Sequence, residues 1–349
     1  MKAITFDAVN SVRVLDVPEP HLQGPKDALV RVRLAAVCGS DLHVYHGREA
    51  GLDRGTVMGH EFLGEVLEVG AEVEGLVPGE VVVSPFTTSC GVCFYCERGL
   101  TSRCEQGELF GWLEGGRGLD GVQAELVRVP LADTTLVRVP AGAREEEALL
   151  AGDVLSTGFF CAESAGAGPH NSLAVVGAGP VGLMAVVAAR ELGAQRIYAF
   201  DALPERLALA ECYGAVPLDF REPDSLVRVL DETGGRGVDG VAECVGSAAA
   251  TRLAIDLVRP GGILAAAGVH TEEHFAFPPG EAYDKNLTYR AGRCPARHLM
   301  ERTLPLVAEA RLDLAAIVSH RMPLEEGEHA YRLFSERAEG CTKVLLIPS

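Results

Sequence analysis

Four cysteines lie close together between residues 90 and 104, and their spacing restricts how this part of the chain can fold. The intervals are short enough for four thiolates to close around one zinc ion, and an all-cysteine tetrahedral site is structural because no coordination position stays open. A disulfide framework or a set of buried thiols fits less well, because four of the ten cysteines are clustered and residues 1–10 contain no apolar signal region. The sequence therefore predicts a structural zinc lobe in a protein of the reducing cytoplasm. Its ligands are Cys90, Cys93, Cys96 and Cys104.

A second set of metal-ligating residue types is spread over the first half of the chain. Cys38 offers a thiolate, and His60 offers an imidazole. Asp153 lies in the apolar run 148–160, where an unpaired carboxylate is costly to bury. Three protein ligands with an open fourth position are typical of catalytic zinc, and Glu61 could occupy that position at rest. The alternative is a core cysteine, a hydrogen-bonded histidine and a surface aspartate.

A dinucleotide-binding fingerprint follows an apolar strand predicted over residues 173–176. Its glycines allow a tight turn and a close approach of the backbone to a pyrophosphate, whose charge the free N–H groups at a helix N-terminus stabilise. A helix-forming run, 183–192, comes next, so the order of strand, turn and helix matches the motif. The turn consists of Gly177, Ala178, Gly179, Pro180, Val181 and Gly182.

The residues after the fingerprint predict which dinucleotide is bound. A second strand, 197–200, ends at Asp201, where a carboxylate can accept hydrogen bonds from the ribose hydroxyls of NAD. A 2′-phosphate would meet Asp201 as a like charge, and the nearest basic residue that follows is Arg206, so NAD is favoured over NADP. Further strand ends are expected to meet the cofactor at the carboxyl edge of the sheet. They carry Val245, Gly268 and Val269.

Composition narrows the class of protein. A chain of 349 residues with 48% hydrophobic content can bury two domain cores. The formal net charge of −18 disfavours a nucleic-acid partner, including one bound by a zinc ribbon. The longest apolar stretch, 173–189, is interrupted by three glycines and a proline in the order of a strand, turn and helix, so no membrane segment is predicted.

The texture of the chain predicts three segments. Residues 1–150 show short β-rich runs between Gly and Pro turns, which indicates a barrel-like domain. Residues 151–295 alternate strands with helices and predict a doubly wound parallel sheet. Residues 296–349 begin with helical periodicity and end in an apolar strand that could pack back on the first domain.

Several independent motifs make the chain resemble the zinc-containing medium-chain alcohol dehydrogenase family over its whole length. The cysteine lobe and the fingerprint agree with that family in kind and position. The resemblance implies an α/β protein with a GroES-like β-barrel catalytic domain and a Rossmann NAD-binding domain. Gly39 and Asp153 stand where liver-type enzymes have a basic residue and a second zinc cysteine, and both resemble a bacterial branch with glutathione-independent formaldehyde, threonine and polyol dehydrogenases. The zinc signature is Gly59-His60-Glu61-x-x-Gly64-x5-Gly70-x-x-Val73.

The resemblance also implies roles for individual residues. Cys38, His60 and Asp153 would hold the catalytic zinc, and Glu61 would exchange as a ligand. Asp41 would orient His60. The proton relay would consist of Ser40 and His43. The nicotinamide would lie between Thr157 and Val181, while ribose and phosphate would be contacted by Arg206 and Lys343 respectively.

The expected function is oxidation of a small alcohol to an aldehyde or ketone, with hydride transfer to NAD and two zinc ions per subunit. Formaldehyde, polyol and threonine dehydrogenases are alternatives within the family. A zinc-free quinone reductase would share the architecture but would have no need for Cys38, His60 and Asp153 as metal ligands. A non-catalytic NADH-binding sensor, with zinc thiolates as redox switches, is the alternative from another class. The family resemblance implies a homodimer or homotetramer.

Overall fold

The computed structural model describes residues 1–271 and 274–349 and divides them into two compact units. Unit 1 comprises Met1–Ser156 and Pro295–Ser349, and unit 2 comprises Thr157–Cys294. The strands are β1 (Lys2–Ala8), β2 (Ser11–Asp16), β3 (Ala28–Val37), β4 (Glu61–Val69), β5 (Val81–Val83), β6 (Trp112–Glu114), β7 (Arg117–Leu119), β8 (Leu126–Val129), β9 (Val137–Arg138), β10 (Ser172–Val176), β11 (Arg196–Asp201), β12 (Val216–Asp219), β13 (Val238–Glu243), β14 (Val258–Ala266), β15 (Thr288–Ala291), β16 (His320–Pro323) and β17 (Val344–Ile347).

The α-helices are α1 (Asp41–Tyr45), α2 (Ala132–Thr135), α3 (Glu145–Ala151), α4 (Val154–Ser164), α5 (Pro180–Glu191), α6 (Pro204–Cys212), α7 (Asp224–Glu232), α8 (Ala248–Leu257), α9 (Pro279–Asp284), α10 (Ala296–Ala308) and α11 (Gly327–Glu336). The longest α-helix of unit 1, among the described residues, is α10 with 13 residues. In the described part of the chain, no helix combines the length and apolar character that crossing a membrane requires.

Unit 1 is built around a seven-stranded sheet in the order β16-β17-β3-β4-β5-β9, with β8 also paired to β3. Along β3, apolar residues alternate with Arg31 and Arg33, so one face enters the core while the arginines face outward. The antiparallel register pairs Ala36 with Glu61. The chain therefore leaves β3 and enters β4 at the same end of the sheet, which brings residue 38 beside residue 60.

The last segment of the chain completes this unit. Strand β17 pairs antiparallel with β3, joining Val344 to Val37. Helix α11 packs its buried face, which includes Tyr331 and Phe334, into the same core as the central strands. A side chain from residue 331 or 343 can consequently reach the end of β3.

Unit 2 contains a six-stranded parallel sheet in the order β12-β11-β10-β13-β14-β15. The first strand in sequence, β10, lies in the middle, and the order reverses beside it, as in dinucleotide-binding folds. Its residues are buried because helices cover the sheet, which explains the continuous apolar run over 173–176. The predicted α/β fold class is confirmed.

Candidate functional site

The cysteine lobe, defined as residues 90–104, holds its four sulfur atoms within 4.8 Å of one another. Two short 3₁₀ turns, Cys96–Arg98 and Thr101–Arg103, bend this segment back on itself. Backbone N–H groups of Cys90 and Gln106 donate to the sulfur of Cys104 at 3.2 and 3.4 Å. Such donors stabilise thiolates, so the lobe fits a tetrahedral zinc site made of cysteines alone.

Backbone hydrogen bonds and burial shift the pKa values of the cysteine thiols in the lobe. The N–H of Glu105 is the largest cause that lowers the pKa of Cys93, to about 6. Burial raises the pKa of Cys96 to about 12. A divalent cation would let all four sulfurs remain thiolates together.

The reactive site, defined as Cys38, His60, Glu61 and Asp153, brings four buried ligand atoms within 4.8 Å of one another. The thiol of Cys38 donates to Oδ2 of Asp153 at 3.2 Å, and Nε2 of His60 lies 3.3 Å from the same oxygen. Thiolate, imidazole and carboxylate are the donor types of catalytic zinc. The residues present therefore fit the metal that the sequence predicts.

The charges of the reactive site are strongly coupled. Burial raises the pKa of Cys38 to about 11, and Asp153 adds to this increase. For Asp153, burial raises the pKa, but the hydrogen bond and charge of His60 lower it to about 2. Burial also lowers the pKa of His60, yet Asp41 and Cys38 raise it well above its usual range. Acidic groups converge in a buried space that a cation would stabilise.

Asp41 orients the imidazole from behind. Its Oδ1 lies 3.2 Å from Nδ1 of His60, and its Oδ2 accepts the backbone N–H of Cys38 at 2.9 Å. A proton on Nδ1 leaves the lone pair of Nε2 directed at the other ligands. Asp41 therefore positions two of the predicted ligands at once.

The predicted relay residues are placed differently from each other. The hydroxyl of Ser40 lies 3.2 Å from both Sγ of Cys38 and Nε2 of His60, within the reactive site. His43 lies three residues later in α1, half-buried, and burial lowers the pKa of its imidazole. Among the described residues its Nδ1 has no hydrogen-bond partner. Only Ser40 therefore lies among the ligands.

Glu61 and Lys343 form a fully buried ion pair through Oε1 and Nζ. The second carboxylate oxygen of Glu61, Oε2, is buried and has no hydrogen-bond partner among the described residues. Such an atom is costly unless a further ligand engages it, and this fits a carboxylate that exchanges at a metal. The phosphate contact expected for Lys343 stays a prediction, because its ammonium is engaged by Glu61.

The fingerprint of unit 2 forms the predicted turn between β10 and α5. Gly182 lies so close to the preceding turn that an added Cβ would be 1.7 Å from the carbonyl oxygen of Gly177. Pro180 is the first residue of α5, and Val181 the second. Thr157 is a buried residue of α4, and Val245 and Val269 are exposed at the carboxyl edge of the sheet.

Asp201 forms a hydrogen bond with the backbone of the fingerprint turn. Its Oδ2 accepts the N–H of Ala178 at 2.9 Å, and its Oδ1 accepts the N–H groups of Ala202 and Leu203. Nη1 of Arg206 lies 3.7 Å from Oδ2. The carboxylate thus has a structural role in the turn in addition to the predicted contact with a ribose.

Two buried polar groups near these sites escaped the sequence reasoning. Glu243 accepts the N–H groups of Val245 and Gly246 and contacts Nε2 of His270 at 2.9 Å. Gln123 donates to Oδ2 of Asp41 at 3.3 Å. Glu243 is the last residue of β13, just before the predicted strand-end residue Val245, and could have been found there, whereas no motif surrounds Gln123.

Comparisons with known proteins agree with this chemistry. Residues 24–141 match the family described as alcohol dehydrogenase GroES-like domain, and residues 180–309 match zinc-binding dehydrogenase. Zinc-type alcohol dehydrogenase B of Aspergillus flavus is 40% identical over 96% of this chain and 79% of that relative. The structure of alcohol dehydrogenase TADH from Thermus sp. ATN1 is 43% identical, with a TM-score of 0.94 and full coverage of both chains. The apo form of zinc-dependent alcohol dehydrogenase 2 from Streptococcus pneumonia is 31% identical, covers 100% of this chain and 99% of that one, and has a TM-score of 0.91. The predicted resemblance is confirmed: this chain is an oxidoreductase of the zinc-containing medium-chain alcohol dehydrogenase family.

Proposed function

We propose that this protein oxidises a small alcohol to an aldehyde or ketone in a zinc-dependent reaction, with NAD as the hydride acceptor. The observation that carries the proposal is the buried convergence of Cys38, His60, Glu61 and Asp153 around the hydroxyl of Ser40. A purely structural zinc site would have four fixed ligands and no hydroxyl among them. The likeness to alcohol dehydrogenases supports the substrate class.

The roles of the side chains follow from their positions. Zinc held by Cys38, His60 and Asp153 would supply Lewis-acid polarisation of the substrate oxygen. Ser40 would accept the hydroxyl proton of the substrate and release its own toward solvent, with His43 as the further proton acceptor. NAD, held at the fingerprint turn of unit 2, would supply the acceptor for the hydride of the substrate carbon.

Glu61 would act as the exchangeable ligand. Lys343 holds one of its carboxylate oxygens, while the other is the unpartnered Oε2. Arrival of substrate would require Glu61 to withdraw, and the ion pair gives the carboxylate a stable partner when it does so. The buried ammonium therefore supports a ligand that alternates between two positions.

The preference for NAD rests on Asp201. Its carboxylate lies beside Ala202 and Leu203, which immediately precede α6, where a 2′-phosphate would meet repulsion. Arg206 lies close enough to offset part of that charge. We expect Asp201→Ala to shift kcat/KM toward NADP, and unchanged preference would mean that another group reads the ribose.

The proposal extends to the zinc content, the oligomeric state and the cellular location of the protein. We propose two zinc ions per subunit, since two separate ligand sets of four residues are present. A homodimer or homotetramer follows family habit. A cytoplasmic location is supported by the clustering of four of the ten cysteines in one segment, which suits a metal site in a reducing compartment better than a disulfide framework.

The test is NADH formation by purified protein of measured zinc content, with primary and secondary alcohols, polyols, threonine and thiol-free formaldehyde. One substrate class with clearly higher turnover is expected. Cys38→Ala should abolish that turnover, whereas Cys212→Ala, which changes an exposed thiol of α6, should leave it unchanged. Full activity of Cys38→Ala would overturn the assignment.

A further inference from the structure

A chain of buried hydrogen bonds runs from the C-terminal helix to the reactive site. Tyr331 of α11 is fully buried, and its hydroxyl donates to Oε1 of Gln123 at 2.9 Å. The amide nitrogen of Gln123, also fully buried, donates to the carbonyl of Ala36 at 3.0 Å and to Oδ2 of Asp41 at 3.3 Å. Residues far apart in sequence thus converge behind Asp41.

The direction of these bonds is fixed at both ends. Burial holds the pKa of Tyr331 well above its usual range, so its hydroxyl keeps a proton to donate. The carbonyl of Ala36 can only accept a hydrogen bond. The amide of Gln123 is therefore held in one orientation, with oxygen toward Tyr331 and nitrogen toward Asp41. A rotated amide would leave buried groups unsatisfied, which is costly.

The chain ends on groups that position two ligands. Asp41 receives the N–H of Cys38 and contacts the ring of His60. The side chain of Gln123 also packs against Gly59, where an added Cβ would lie 2.4 Å from its Cγ at a φ of +86°. Gln123 therefore contacts the carboxylate of Asp41 and the backbone of Gly59, the residue before His60.

We propose that Gln123 and Tyr331 are positioning residues for the reactive site. Tyr331 fixes the amide of Gln123, and that amide holds Asp41 in the orientation that His60 requires. The side-chain hydrogen bonds of Gln123 and Tyr331 go to each other, to Asp41 and to the carbonyl of Ala36. The inference rests on the proposed zinc assignment, and it adds a third layer of residues behind the ligands.

Two substitutions distinguish the hydrogen bond between Tyr331 and Gln123 from the one between Gln123 and Asp41. Gln123→Met keeps a similar volume and removes all three hydrogen bonds of the amide. Tyr331→Phe removes one oxygen atom, so it tests the same path if the first variant folds poorly. Tyr198→Phe is the matched control, because it removes a hydroxyl that bonds Glu232 in unit 2. The full-length protein is loaded with zinc or cobalt, and the cysteine lobe provides an internal reference.

The readouts are zinc affinity by chelator competition and the visible spectrum of the cobalt form. Gln123→Met should weaken zinc binding at the reactive site by about tenfold or more, as outer-layer changes do elsewhere, and should shift the cobalt bands. Tyr331→Phe should do the same to a smaller extent, and the double variant should match Gln123→Met because the two residues act in series. Zinc affinity at the cysteine lobe should stay the same in all variants, and Tyr198→Phe should leave both the affinity and the cobalt bands of the reactive site unchanged.

Three results would overturn the inference, and they differ in whether they also refute the metal assignment. Unaltered affinity and cobalt bands in Tyr331→Phe and Gln123→Met, or fully additive losses in the double variant, would refute the positioning role and leave the metal assignment standing. A parent protein that binds cobalt at the cysteine lobe alone would refute both.

Discussion

The cysteine lobe and the reactive site each gather four ligand atoms within 4.8 Å, but the chain assembles them differently. The lobe takes its ligands from one short segment, 90–104, and two of its cysteines are partly exposed. The reactive site takes its buried ligands from separate parts of the chain. Cys38 follows β3, His60 precedes β4, Glu61 begins β4, and Asp153 lies between α3 and α4. A local segment can close around a metal by itself, whereas a distributed site depends on the fold that joins its parts.

The two sites also differ in what surrounds the ligands. Backbone N–H groups serve the sulfurs of the lobe. Side chains such as Asp41 and Lys343 serve the reactive site. Substitutions should therefore damage the lobe mainly through the ligands themselves, and the reactive site through several additional residues.

The largest effect is expected for Asp153→Asn. The amide cannot supply the anionic oxygen that lies near both Cys38 and His60, so turnover should fall by more than about a hundredfold, beyond the range for outer-layer residues. NADH binding, measured by fluorescence titration, should persist because the fingerprint is in unit 2. The matched control is Asp53→Asn, at a half-buried loop carboxylate that accepts the N–H groups of Gly115 and Gly116, and this variant should retain full turnover. Normal turnover in Asp153→Asn would count against the ligand assignment.

Cys90→Ser should act on stability instead. A structural metal contributes folding free energy, so loss of this ligand should lower the free energy of unfolding by more than about 4 kcal/mol. Trp112 is the single tryptophan and lies in unit 1, so its fluorescence during denaturant unfolding follows this unit. Cys212→Ser, an exposed thiol, is the control. A variant as stable as the parent but short of one zinc would show that the lobe does not stabilise the fold.

Lys343→Met should break the buried ion pair and leave Glu61 without its counterion. Removing one partner of such a pair destabilises by about 3 kcal/mol, because the remaining charge stays buried. The double variant Glu61→Gln/Lys343→Met should recover much of the loss, again measured through Trp112. If the double variant is no better than Lys343→Met, packing rather than charge explains the effect.

The sequence predicted contiguous features most directly, and it identified the distributed ligands Cys38, His60 and Asp153 through their residue types and the family resemblance. The lobe, the fingerprint turn and Asp201 lie in contiguous segments, where spacing alone carries the information. The ion pair of Glu61 and Lys343 joins residues 282 positions apart, and it depends on the pairing of β17 with β3. Strand register of that kind is a tertiary property. Gln123 and Tyr331 were missed for the same reason.

Asp41→Asn should produce the smallest of the four effects, and it compares the two sites most directly. The amide can accept through one atom only, so either the N–H of Cys38 or the Nδ1 proton of His60 faces an NH₂ donor. Zinc affinity at the reactive site should fall by about tenfold or more, as for other residues that orient ligands. Chelator competition with separate detection of the two zinc ions measures this loss, and the lobe should keep its affinity because its sulfurs are served by the backbone. Equal losses at both sites would mean that Asp41 acts through the stability of unit 1 as a whole, and that the side-chain layer does not distinguish the reactive site from the lobe.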